Sequence, residues 1–185
     1  MKVKLNEEIK EYCKILKLKG IRDNFEEVML EATDYEDFLH RLLTFEMVEK
    51  DKRSIECRIR NAHFPYNQYL ENIEINCLPK DMQKKLPELA TLYFIEKGKN
   101  IIMTGNPGTG KTMVSIALGL KACMAGYKVL FTTVPLLVTT LKESNSAKTL
   151  RYFENRFEKY DLVIADELCE ALHNSSYEKY SIMQS

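Results

Sequence analysis

The chain has 185 residues, room for a small helical module and a larger domain, and its 45% hydrophobic and 29% charged residues are those of a globular protein. Lys+Arg and Asp+Glu are equal at 27 each, so overall charge does not point to nucleic acid, and any such contact needs a local basic patch. Five scattered cysteines without a Cys-x-x-Cys pair and three histidines spell out no zinc or redox site. The charged N-terminus holds no apolar signal core, and the longest uncharged run, Val129 to Leu141, is broken by Pro135. These features predict reduced thiols, a cytoplasmic location and no membrane span.

Residues 6 to 61 read as helices. Ile9, Tyr12, Cys13 and Leu16 recur at helical spacing after a cap at Asn6, with Gly20 as the stop. A second helix is expected over about Asn24 to Glu31. Thr33 and Glu36 have capping-box spacing, and the helix they open carries Phe38, Leu42, Phe45 and Val48 on one face before Phe64-Pro65 ends it. Phe45, Met47 and Val48 read as core or packing residues. The end of this helix is basic, with Lys50, Lys52, Arg53, Arg58 and Arg60. It is either a DNA-backbone or partner surface, or a solvated helix end whose cations complement the dipole.

Residues 66 to 98 form a connector and a helix expected to start at Pro87 and stop at Gly98. From residue 99 the pattern alternates. A strand is expected over Asn100 to Thr104, then a glycine loop, a helix over about Lys111 to Ala125 and a strand Lys128 to Thr132. Helical stretches over about Leu136 to Glu143 and Ala147 to Lys159 lead to a strand Asp161 to Ala165. The fold class is α/β: an N-terminal helical module (1–65) followed by an incomplete parallel sheet with flanking helices (99–168) and a tail (169–185).

Gly105-Asn106-Pro107-Gly108-Thr109-Gly110-Lys111-Thr112 is Gly-x-x-x-x-Gly-Lys-Thr between an apolar strand pattern and an amphipathic helix. Its glycines let backbone N–H groups wrap a polyphosphate closely, and the helix dipole adds positive potential. Lys111 is expected on the β and γ phosphates of ATP and Thr112 on Mg²⁺, and residues Gly105 to Thr112 together with Met113 are the expected nucleotide-binding set. About 55 residues on, Leu162-Val163-Ile164-Ala165-Asp166-Glu167 reads as a buried strand that delivers a carboxylate to the same end of the sheet. Asp166 is assigned to Mg²⁺, and Glu167 to orienting and deprotonating water.

The chain resembles the IstB/DnaC-type ATP-binding proteins, AAA+ helper ATPases of insertion-sequence transposition and helicase loading. Arg58 to Pro65 with Leu70-Glu71, Glu88 to Glu96, Asn100 to Thr112, Gly126 to Thr133 and Tyr160 to Leu168 carry the likeness, over residues 5 to 168. The transposition branch fits better than the helicase-loader branch, because the helical N-terminus and the Phe-Pro segment match it. The resemblance implies an ATP-dependent homo-oligomer on DNA that recruits or regulates a transposase. It also implies further strands after the Walker B run, Leu162 to Glu167, carrying a polar sensor and an arginine that acts on a neighbouring subunit's ATP. One of these strands lies between the P-loop and Walker B strands. Residues 169 to 185 do not fit that pattern, so a truncated or frame-shifted product with doubtful hydrolysis is expected. The other readings are a non-catalytic interaction module and a small-molecule P-loop kinase, the latter disfavoured by Glu167 beside Asp166.

Overall fold

A computed structural model describes residues 2–143, 151, 155 and 157–167. The expected helix Ala147 to Lys159 lies largely outside the described residues, as does the tail. The chain divides into two compact units, 1–57 and Arg58 onward, whereas the sequence pattern puts the boundary at residue 65.

The first unit contains α1 (Lys2–Ile15), α2 (Lys19–Glu31) and most of α3 (Tyr35–Asn61). Phe25, Val28 and Leu42 form its core with Ile9, Ile21 and Phe38, and the Phe25 and Phe38 rings meet edge-on at 6.0 Å. Asn6 lies within α1 rather than at its start. Gly20 stops nothing: α1 ends at Ile15, and just beyond it Lys17 takes a left-handed φ of +59° while Leu18 N–H bonds back to Cys13 O at 2.8 Å. Gly20 sits inside α2 because a Cβ there would lie 2.5 Å from Phe45 O and 2.7 Å from Glu46 Cα. Only a residue without a side chain lets α2 approach the α3 backbone this closely.

The cap of α3 is shifted one residue from the expected box. Asp34 Oδ1 accepts from Asp37 N–H at 2.8 Å, and Asp37 Oδ2 accepts from Thr33 N–H at 3.1 Å. Leu42 is buried as expected, but Phe45, Met47 and Val48 are exposed, as are Tyr12 and Leu16. Helical periodicity marks an apolar stripe without saying how much of it neighbours cover.

The second unit is built around α6 (Lys111–Met124). After α3, two 3-10 turns (Leu70–Asn72 and Ile75–Cys77) lead to α4 (Lys80–Leu89) and α5 (Tyr93–Glu96). Pro87 does not start a helix; it lies in the last turn of α4, whose N-cap is Pro79. Gly98 does end α5, with Gly98 N–H and Lys99 N–H bonding back to Ile95 O and Phe94 O.

Strands β1 (Val129–Thr133) and β2 (Leu162–Asp166) pair in parallel, with Val129 opposite Leu162 and Thr133 opposite Asp166. Helix α7 (Val134–Glu143) follows β1 directly. Val163 and Ala165 on β2 are exposed, so the strand is covered on one face rather than buried on both.

Asn100 to Thr104 is not a strand. Ile101 and Met103 are half-buried and Ile102 and Thr104 exposed, the alternation of an extended segment, but no described residue forms a ladder with it. Strand β1 is already paired with β2, and the resemblance places another strand between β2 and this segment.

Most of α6 is buried. One side meets Ile73, Leu78 and Leu86, and the other meets β1, β2 and Phe64. Gly119 makes the second contact possible: a Cβ there would lie 2.7 Å from Ile164 Cδ1 and 2.8 Å from Phe64 Cε1. No helix among the described residues is long and apolar enough to cross a membrane.

Candidate nucleotide-binding site

The loop that precedes α6 turns on Gly108 and Gly110, at φ +78° and +82°, conformations that side chains strain to adopt. Gly110 is also the N-cap of α6, with Leu78 Cδ2 at 3.0 Å from the place its Cβ would take. Gly105, Asn106, Pro107 and Gly108 are exposed; Thr109 and Gly110 are half-buried. Thr109 Oγ1 donates to Asn106 O at 2.9 Å and braces the turn. Lys111 Nζ lies over the loop, donating to Gly105 O at 2.9 Å and Asn106 O at 2.8 Å. An ammonium so placed stands beside the N-terminus of a 14-residue helix, the combination of fixed charge and dipole that favours an anion. Met113 points back under Gly110 and packs on the Leu78 cluster, so it supports the loop from inside.

Thr112 and Asp166 lie 54 residues apart in the sequence and meet: Thr112 Oγ1 donates to Asp166 Oδ2 at 2.8 Å. The first turn of α6 and the C-terminal end of β2 make this contact, the usual place for ligands of open α/β sheets. Glu167 follows with an exposed side chain and a left-handed backbone, φ +62°. For a non-glycine residue that conformation costs on the order of 1 kcal/mol. Among the described residues no three His, Cys, Asp or Glu side chains cluster as a metal site.

Sequence reasoning missed the support behind the loop. Arg58 Nε donates to Cys123 O at 2.8 Å in the last turn of α6. Phe131 N–H bonds to Ala62 O at 2.8 Å, and the Phe64 ring stands 6.2 Å from that of Phe131. Burial pushes the Cys123 thiol up to about 11, against the opposing pull of the Arg58 charge. The one sequence signal for this packing was Gly119, a glycine in the middle of an apolar helix. The basic stretch is divided by the structure. Arg53 bonds Glu46 Oε1 at 3.1 Å and Lys17 O at 3.2 Å, Arg58 faces α6, and Lys50, Lys52 and Arg60 are exposed.

This geometry is joined by sequence likeness over nearly the whole chain. Residues 12–178 match the family described as IstB-like ATP binding protein. The chain belongs to the IstB-like ATP-binding family. A Geobacillus stearothermophilus protein named for insertion sequence IS5376 and for ATP binding is 33% identical over 168 residues, 89% of this chain and 67% of the relative. The corresponding IS21 protein of Pseudomonas aeruginosa is 32% identical over 184 residues, 91% of this chain and 69% of the relative. An IS21-like protein of Bacteroides fragilis (strain YCH46) is 28% identical, covering 87% of this chain and 83% of the relative. The family match reaches residue 178, so the likeness does not stop at Leu168 as the sequence pattern placed it.

Proposed function

We propose that this IstB-like protein binds ATP together with Mg²⁺ and acts as an ATP-dependent helper in insertion-sequence transposition, assembling on DNA and engaging a transposase. The observation that carries the nucleotide part is the 2.8 Å contact between Thr112 Oγ1 and Asp166 Oδ2. A hydroxyl and a carboxylate oxygen, side by side next to a phosphate loop, are the hard oxygen donors Mg²⁺ takes, and the ion would neutralise charge on the phosphates when bound. Lys111 would hold the β and γ phosphates. Glu167, one residue beyond Asp166, suits orienting and deprotonating a water molecule, which makes ATP hydrolysis the reaction proposed.

DNA contact is assigned to Lys50, Lys52 and Arg60, the exposed members of the basic stretch. The insertion-sequence names of the relatives support a role in transposition, and homo-oligomerisation and a transposase partner are proposed on the same footing. The test titrates fluorescent DNA with the chain at several salt concentrations, with and without Mg²⁺-ATP. Salt-dependent binding whose slope shrinks by about three when the three cations become glutamine supports the reading, since each neutralised phosphate contributes about one to that slope. An unaltered slope removes these residues from the DNA contact.

A further inference from the structure

The basic sequence Arg58-Ile59-Arg60 reads as one surface, but its two arginines have different surroundings. Arg60 is exposed, whereas Arg58 is half-buried and its Nε donates to Cys123 O at 2.8 Å. The carbonyl of Cys123 lies in the last turn of α6 and also accepts from Gly126 N–H at 3.2 Å, so Arg58 adds a second, charged donor to an oxygen that has room for two. A cation there complements the negative end of the dipole. The same segment makes two further contacts, one to β1 and one to α6. Ala62, with no exposed surface, lends its carbonyl to Phe131 N–H of β1, and the Phe64 ring fits against Gly119 where a Cβ would come within 2.9 Å. Thus residues 58 to 64 tie the C-terminal half of α6 to β1, while Gly119 rests on Ile164 of β2.

We infer that Arg58 is a positioning residue for the nucleotide site: by bonding Cys123 O it sets the placement of α6 against β2, and so the meeting of Thr112 with Asp166. Thr112 stands in the first turn of α6 and Asp166 at the last position of β2, and a helix is stiff along its axis. Its placement at Cys123 is therefore passed to Thr112. The 2.8 Å contact tolerates little slippage, because hydrogen bonds and metal ligation weaken steeply beyond their ordinary lengths. Arg58 touches neither phosphate nor metal. This inference rests on the Mg²⁺-ATP reading given above.

The test uses the full chain and three substitutions. Arg58→Met keeps the apolar length but removes donor and charge. Arg58→Gln sets its Nε2 at the same number of bonds from Cα as the arginine Nε, so it keeps the donor without the charge. Glu56→Gln removes an exposed charge two residues away on the same helix. Fluorescent ATP is titrated with Mg²⁺ and with a chelator, and the rate at which a disulfide reagent labels Cys123 is followed on the variant Cys13→Ala/Cys57→Ser/Cys77→Ser/Cys169→Ser. The expected result is that Arg58→Met weakens Mg²⁺-ATP binding by about tenfold, the scale of one charge-assisted hydrogen bond, leaves Mg²⁺-free binding nearly unchanged and speeds Cys123 labelling. Arg58→Gln should recover most of the Mg²⁺-dependent affinity, and Glu56→Gln should match wild type. Wild-type Mg²⁺ dependence in Arg58→Met overturns the assignment, and so does a Gln variant as weak as Met, which would make the charge and not the hydrogen bond responsible. If Arg58→Met does not fold, Gln is compared with Arg58→Lys, which keeps the charge but moves the donor one atom outward. Gln nearer to wild type supports the assignment, and Lys nearer to wild type overturns it. Failure of the wild-type chain to bind ATP would count against the nucleotide reading itself, a distinct outcome.

Discussion

Replacing Gly20 by alanine sets two effects against each other. In the interior of a helix the exchange gains roughly 1 kcal/mol, because alanine loses less backbone freedom on folding. Here, however, the new Cβ would lie 2.5 Å from Phe45 O and 2.7 Å from both N and Cα of Glu46. Ordinary contacts of carbon lie at about 3.5–4 Å, and the opposing atoms are backbone, which no rotamer change can move. Helix α2 would have to retreat from α3 by about 1 Å. That retreat would stretch the Ile21 N–H bond to Glu46 Oε2, now 3.2 Å, and the Lys19–Glu49 ion pair, now 2.8 Å. Overpacking of this kind costs about 1–3 kcal/mol, more where backbone must shift, so the net loss is expected at about 1–2 kcal/mol. For a unit of this size the unfolding midpoint should fall by roughly 5–10 °C. Far-UV circular dichroism through a thermal ramp measures it. A midpoint equal to or above that of wild type would refute the close approach of α2 to α3 at Gly20.

Three further outcomes follow from the nucleotide site and its support. Lys111→Ala should weaken ATP binding by roughly ten- to hundredfold, the value of a charge-assisted contact to phosphate, with the fold unchanged by circular dichroism. Asp166→Asn keeps an acceptor for Thr112 Oγ1 but loses the charge, so titration should show Mg²⁺-dependent affinity reduced by about tenfold or more while Mg²⁺-free binding persists. Cys123 should resist alkylation in the native chain at neutral pH, while exposed Cys57 reacts. Its thiol rises from 9.0 to about 11 on folding, so the folded state holds the proton more tightly. The associated stability is fully present below pH 9.0, falls as pH rises to about 11, and amounts to roughly 2–3 kcal/mol. Alkaline urea titrations of Cys123→Ala should lack that slope.

What the sequence alone determined is local. Gly-x-x-x-x-Gly-Lys-Thr at residues 105–112 demands a tight turn with inward N–H groups followed by a helix, because the glycine positions need left-handed backbone and the lysine must reach phosphate. The apolar run ending in Asp166-Glu167 dictates a strand, because four successive apolar residues rich in β-branched side chains favour a sheet. The helical periods from residue 9 to 61 were legible for the same reason, since they depend on neighbours three and four positions away. The tertiary structure decided everything that depends on a distant neighbour. Gly20 read as a stop because glycine often ends helices; α3, passing within touching distance of it, makes it an interior contact. Asn100 to Thr104 has a strand's composition, but a strand exists only beside a partner, and no described residue forms a ladder with it. Arg58 and Arg60 are two residues apart and chemically identical, yet a helix turns about 200° between them, so one meets the end of α6 and the other meets water. Only the packing of α6 on β2 brought Thr112 to Asp166, because two side chains 54 residues apart share no local signal that sets their distance.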